Sequence, residues 1–175
     1  MWQKYFIVII LFCLYACKGE RKEQNTNSTI IEKKWAKDCS NDSKIHVLSS
    51  NAQFANGKKV GYQFDIRLSY YRGHFLSVID EFGVKVDGEE VPEQDIKFCL
   101  HGKEFGISQL RDLVSEFWLI TEPATIKVFR EGGIPSGEHD IDVKLMFHSP
   151  YMPLSDTEYM PVDGCGSKKL TLAEF

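Results

Sequence analysis

The chain has 175 residues, a net charge of −4 and no block of basic residues. A mildly acidic surface without a basic stripe excludes a nucleic-acid binder that works by neutralising phosphates. The length leaves room for one domain with a substantial core after a distinct N-terminal segment.

Residues 1–16 contain one lysine and then an apolar run from Tyr5 to Leu14. A helix needs about 20 apolar residues to cross a bilayer, so this run has the size of a signal-peptide core instead. It ends in Leu14-Tyr15-Ala16-Cys17. A small residue before a cysteine at that place resembles the lipobox of bacterial lipoproteins. The resemblance implies cleavage before Cys17, lipid on Cys17, and a membrane-anchored protein in the periplasm or at the outer membrane. The competing reading is an ordinary secretory signal with Cys17 as a spare thiol. Residues 17–34 are polar, mixed in charge and free of aromatic side chains. Such a segment buries too little apolar surface to order itself and reads as a tether, with a reach on the order of 20–25 Å. Residues 35–175 form the domain.

Within it, Ile45, Val47 and Leu48 begin a first strand, and Asn56-Gly57 is a strong turn signal. From Val60 to Tyr70 apolar and polar residues alternate, the pattern of a half-buried strand. Phe75 to Ile79 is a short apolar segment. Phe82 to Val86 reads as a strand, Asp87-Gly88 as a tight hairpin turn, and Glu89 to Val91 as a return strand that Pro92 stops. Ile96, Phe98 and Leu100 alternate with Lys97, Cys99 and His101, giving a further strand, and Gly102-Lys103 turns the chain. The spacing of Leu110, Leu113 and Val114 predicts one short helix over 108–114, capped by Ser108. Trp118 to Thr121 and Ala124 to Phe129 read as strands. After a turn at Gly132 to Gly137, His139 to Phe147 alternates cleanly, and Pro150 to Pro153 ends that strand. A loop then leads to a closing strand at Lys169 to Leu172. Many short two-faced strands and one helix predict an all-β fold, an antiparallel β-sandwich of jelly-roll-like type.

The residue chemistry offers no obvious active site. The five histidines make no metal-ligand spacing, and His139 shares parity with a core row. No nucleophile elbow, phosphate loop or dinucleotide fingerprint is present. Acidic pairs such as Glu89-Glu90 and Asp140/Asp142 fall at turns or on outward faces. Cys39 and Cys165 lie in turn-like surroundings near opposite ends of the domain and are candidates for a disulfide in an oxidising compartment. Unpaired thiols are the other reading, and Cys99 sits on a polar strand face. What stands out is a set of aromatic and guanidinium side chains of the kind found at binding hot spots: Arg67, Tyr70, Tyr71, Arg72, His74, Trp118 and Tyr151. For Tyr70 and Trp118 a place in the core competes with that role. Tyr71 and Arg72 lie past the apolar row, beside Gly73.

Four motifs occur in order: Ile66 to Gly73 (IRLSYYRG), Val86 to Val91 (VDGEEV), Glu131 to His139 (EGGIPSGEH) and Ser149 to Pro153 (SPYMP). Together they resemble the β subunit of the C-glycoside deglycosidases. The resemblance implies a β-sandwich subunit that assembles with a larger (β/α)-barrel α subunit. That partner carries a divalent metal, usually taken as manganese, and the acid–base chemistry. The complex cleaves the bond between an oxidised, 3-oxo sugar and an aromatic aglycone. No cofactor and no catalytic residue is implied for the present chain, and no nucleic acid. Its Tyr-Tyr-Arg-Gly and Pro-Tyr-Met-Pro segments become candidates for partner or substrate contact. Contact with a membrane is expected through the lipid anchor only. Relatives of this kind are soluble cytoplasmic subunits, so the export signal sets this chain apart. A stand-alone carbohydrate-binding lipoprotein is the alternative reading.

Overall fold

The computed structural model describes residues 46–172, with side chains from Asn56 onward. The expected signal segment, the lipid site at Cys17, the tether and Cys39 lie outside the described residues.

Strand β1 (His46–Ala55) and strand β2 (Lys58–Arg67) form an antiparallel hairpin around Asn56-Gly57. Both turn residues have positive φ, 51° and 75°, as a two-residue turn matched to strand twist requires. The first strand is longer than the short one expected. In β2 the alternation is realised: Tyr62, Phe64 and Ile66 are buried and Gln63, Asp65 and Arg67 lie between them half-buried. The chain continues through β3 (His74–Phe75) and a single 3-10 turn to β4 (Ile79–Val86), β5 (Glu89–Glu90), and a second 3-10 turn. Then come β6 (Ile96–Leu100), β7 (Lys103–Gly106), a 3-10 helix (Ile107–Asp112), β8 (Phe117–Trp118), β9 (Pro123–Phe129), β10 (Gly137–Pro153), β11 (Tyr159–Asp163) and β12 (Gly166–Leu172).

Among the described residues two five-stranded antiparallel sheets result, with β3 and β8 as a separate two-stranded pair. One has the order β1-β2-β9-β6-β7. In the other β10 is central, with β4 and then β5 on one side. On its other side its first half pairs with β12 and its second half with β11. The core lies between the sheets. Phe82 of one sheet meets Phe98 of the other edge-on, and Phe98 in turn meets Trp118, with ring centroids 5.5 and 5.3 Å apart. This is the expected antiparallel sandwich.

The expected helix is present but of the 3-10 kind, and it starts one residue earlier. Its first turn is closed by the Gln109 side chain accepting from the Gly106 backbone N–H at 2.7 Å, not by Ser108. With three residues per turn, positions i and i+3 eclipse and i+4 rotates away. Ile107, Leu110 and Leu113 therefore turn inward while Val114 is exposed, against the helical expectation for Val114. The chain after Pro150 is also corrected. The strand runs through Pro150 to Pro153, and the region read as a loop contains β11.

His139 joins two parts of the second sheet. Its Nδ1–H donates to Asp87 Oδ2 at 2.7 Å and its Nε2–H to the Pro135 carbonyl at 2.8 Å. The other Asp87 oxygen accepts from the Asp140 N–H at 2.9 Å. Both ring nitrogens face acceptors, so only the imidazolium satisfies both bonds. Accordingly the hydrogen bond to Asp87 holds the His139 pKa up, and the same bond holds Asp87 down. The His139 contribution to stability is complete below the ordinary histidine value of 6.5 and is lost as pH rises through the raised value. The Asp87 contribution is present above 3.8 and is lost as pH falls through its lowered value.

The pairing of β2 with β9 depends on a glycine. A Cβ on Gly61 would lie 2.0 Å from the Val128 carbonyl oxygen, a backbone atom that cannot move aside. Gly61→Ala is expected to lower stability by about 3 kcal/mol, the upper end of what overpacking typically costs. Gly88→Ala, with φ of 82° but open space at its Cβ, is expected to cost about 1 kcal/mol for the left-handed conformation. Urea denaturation of both variants checks the order of the two effects.

Candidate functional site

The residues that sequence reasoning singled out converge at the end of the sandwich where β2 leaves the sheet. Leu68 is the last core residue of that row; Tyr70 is half-buried, and Tyr71 and Arg72 are exposed. The chain re-enters through Gly73, where a Cβ would lie 2.4 Å from the Trp118 carbonyl oxygen. Only glycine allows β3 to approach β8 so closely, with His74 opposite Trp118. The loop is thereby fixed at its return point.

From the other side comes the second half of β10. Beyond Phe147 that strand no longer pairs with β4, and it continues with β11 as a two-stranded ribbon. An isolated ribbon is marginal in water, and this one is fastened at its base. His148 Nδ1 lies 2.8 Å from Asp80 Oδ1, and the His148 ring stacks at a tilt on Tyr159, 5.6 Å between centroids. The Arg72 guanidinium sits 4.3 Å from the centre of the Tyr151 ring and 5.7 Å from that of Tyr71, so a cation is held between two aromatic faces. Under them, Tyr70 touches Tyr71, His74 and Phe147 with centroid separations of 4.5, 5.0 and 5.4 Å.

Thus Tyr70, Tyr71, Arg72, His74 and Tyr151 form one cluster. Arg67 does not join it: it lies on the opposite face of β2 from Ile66, beside Pro123 of β9. Trp118 is a correction. It is 2% exposed, its Nε1–H donates to the Glu122 carbonyl at 3.0 Å, and its ring packs on Phe98. It supports the cluster from the core and offers no face to a partner.

Sequence reasoning missed the ribbon itself. Six of the ten exposed large apolar side chains among the described residues lie there or on the adjoining loop: Tyr71, Tyr151, Met152, Leu154, Tyr159 and Met160. Single exposed apolar residues are ordinary, but a concentration of this kind marks an interaction surface. Run by run the signal was weak, since Met152, Leu154 and Met160 follow no period of 2 or 3.6.

Buried groups near the cluster are polar but uncharged. His74 is 6% exposed and its Nε2 has no hydrogen-bond partner. Burial, followed by the nearby Arg72 and His148, lowers its pKa, and burial raises that of Tyr70. Among the described residues no three His, Cys, Asp or Glu side chains come together as a metal site. Cys99 is a free, half-buried thiol whose pKa burial raises. Cys165 is disulfide-bonded, its partner lying outside the described residues.

The two structural histidines shift in opposite senses, which a titration can read. The His74 contribution is present above 6.5 and is lost as pH falls toward its lowered value, the reverse of His139. Ring-resolved NMR titration is expected to show His139 deprotonating above 6.5 and His74 below it. Coincident titration of the two rings would contradict both the His139 clamp and the burial of His74.

With this geometry in view, comparison with known proteins is informative. Residues 41–151 match the model of the family described as C-glycoside deglycosidase beta subunit. The matched stretch includes the Tyr70–Arg72 loop and reaches Tyr151. The chain is 37% identical over 103 residues to the C-glycoside deglycosidase beta subunit of Eubacterium cellulosolvens, spanning 59% of this chain and 70% of that one. It is 28% identical over 109 residues to the subunit of the same name from Microbacterium trichothecenolyticum, spanning 61% and 80%. A 3'-dehydrocarminate deglycosidase beta subunit from a Microbacterium species is 27% identical over 96 residues, spanning 54% and 71%. The chain therefore belongs to the C-glycoside deglycosidase beta subunit family.

Proposed function

We propose that this chain is the accessory subunit of a lyase complex that cleaves C-glycosides or other 3-oxo-glycosides, with the reacting groups on a larger partner. A β subunit implies a partner subunit. The observation that carries the reading is the exposed ribbon, with Arg72 clasped between Tyr71 and Tyr151 at its base. Tyrosine and arginine dominate binding hot spots because they bury much area at little conformational cost and keep a polar handle. Here they are already ordered by one another, so less entropy is lost on docking.

In this reading the partner is the larger α subunit, a (β/α)-barrel. It would supply acid–base groups and a divalent metal such as manganese to remove the proton beside the 3-oxo group. This chain contributes shape: the Tyr70–Gly73 loop and the ribbon close on the partner and border the mouth of its site. The substrate chemistry follows the relatives' names, one of which specifies 3'-dehydrocarminate. The chain is held at the periplasmic or outer membrane by lipid on Cys17, with residues 17–34 as its tether. A stand-alone carbohydrate binder is disfavoured at this site, because Trp118, the one tryptophan among the side chains singled out for binding, is buried and offers no ring face to a sugar.

Affinity purification of the tagged chain from its own cells is expected to bring down a stoichiometric larger subunit. The pair, and neither chain alone, is expected to cleave a 3-oxo-glycoside. Arg72→Glu and Tyr151→Ser are each expected to weaken assembly by about 2 kcal/mol, the threshold of a hot spot, with little change in the melting temperature of the free chain. A chain that purifies without a companion would overturn the subunit reading. Separately, cells fed labelled palmitate are expected to label the parent chain and not Cys17→Ser.

A further inference from the structure

Cys165 is disulfide-bonded, and its place in the fold limits what it can be bonded to. It stands between the end of β11 at Asp163 and the start of β12 at Gly166. Both strands pair with the same flank of β10, so this short join is where the ribbon parts from the sandwich. The join is held closely. The Gly164 N–H donates to the Leu145 carbonyl at 2.8 Å, and the Cys165 N–H to Asp163 Oδ1 at 2.9 Å. The Cys165 sulfur is buried, 3.9 Å from Met146 Sδ.

The chain has five cysteines. Cys99 is a free thiol, which leaves Cys13, Cys17 and Cys39 to complete the bond, all outside the described residues. Three observations select Cys39. The chain divides between Lys37 and Asp38, which puts Cys39 in the same compact unit as Cys165 and the other two in the N-terminal unit. Cys39 is also only seven residues from His46, the first residue of β1, and seven extended residues reach about 24 Å. His46 lies opposite Arg67, at the end of the sandwich from which the Tyr70 loop leaves, and β1 runs beside β12. The chain thus enters β1 on the flank where Cys165 lies. Lastly, Cys17 is 29 residues from His46. The odds of closing a loop fall as about the 3/2 power of its length, which favours Cys39 over Cys17 by about eightfold and over Cys13 by more.

We propose that Cys39 and Cys165 form a disulfide staple that ties the chain entering β1 to the base of the ribbon. The two thiols give up two protons and two electrons as the bond between their sulfurs forms. An oxidised dithiol carrier takes both by thiol–disulfide exchange, and its own disulfide becomes two thiols. The staple is an addition to the common domain, since both cysteines lie outside residues 41–151, the stretch shared with the family. It fastens the ribbon on the flank of β10 opposite the Asp80–His148 contact. The pairing depends on neither the partner subunit nor the Tyr71–Arg72–Tyr151 clasp.

The test is peptide mapping of the full chain, purified in detergent and oxidised with glutathione disulfide, with free thiols then alkylated in denaturant without reductant. Trypsin is expected to release residues 38–44 joined to residues 145–168, with Cys99 alkylated in residues 98–103. Cys39→Ser is expected to lower the melting temperature by about 10 °C. The double variant with Cys165→Ala is expected to melt with Cys165→Ala alone. Dithiothreitol is expected to lower the parent's melting temperature by as much as Cys39→Ser does and to leave that variant unmoved. A link from residues 145–168 to residues 5–18, an alkylated Cys165, or a Cys39→Ser variant that melts with the parent would each overturn the proposal. Partner capture is read by a different experiment, so failure here leaves the subunit reading standing.

Discussion

A 17-residue strand cannot be covered by an eight-residue neighbour. At about 3.3 Å per residue, β10 extends about 56 Å while β4 extends about 26 Å. That mismatch shapes the molecule. The first half of β10 is buried in the sheet between β4 and β12, and its inward row of Ile141, Val143, Leu145 and Phe147 builds the core. The second half has no place in the sandwich and leaves it as a ribbon with β11. Its side chains then meet water, and several are large and apolar. The fold gains nothing from leaving Tyr151, Met152 and Leu154 exposed. The arrangement makes physical sense as a surface completed by another chain.

The ribbon is aimed as well as exposed. Asp80 and His148 fix it at the sheet edge, and Arg72 meets Tyr151 across from the neighbouring loop. An exposed cation–π contact is worth about 0.5–1 kcal/mol, too little to hold the loop alone. The loop owes its position to Gly73, whose missing Cβ lets β3 pair with β8, and to Tyr70, which anchors on His74 and Phe147. Weak surface contacts thus rest on a strong buried frame, so the surface can be altered without unfolding the domain.

The parts of this frame that obey a simple period were legible in the sequence. Alternation located β2, β6 and the first half of β10, because each has one face in the core. Asn56-Gly57 and Asp87-Gly88 announced their hairpins, since few other pairs accept two positive φ values in succession. Where the period lapsed, so did legibility. Pro150 and Pro153 looked like a strand end, yet they lie past the last β4 pairing, where an absent N–H leaves no ladder bond unmade on that side. The two-residue β8 is too short to show which face Trp118 takes, so a ring suited to binding was found in the core. At the cluster, residue type alone pointed to Tyr71, Arg72 and Tyr151, although about 80 positions of chain separate the loop from Tyr151.

The acidic side chains complete this division between frame and surface. Among the described residues, Asp80 faces His148, Asp87 faces His139, Glu81 faces Lys144, Glu116 faces Lys103 and Glu122 faces His101. Each of these pairs links separate elements of the fold, most of them across the outer surface of a sheet. The Tyr71–Arg72–Tyr151 clasp differs in kind: it joins loop to ribbon while leaving both rings exposed at their outer edges. Its guanidinium has no carboxylate within ion-pair distance among the described residues, so a partner's acidic group would meet a cation already positioned to receive it.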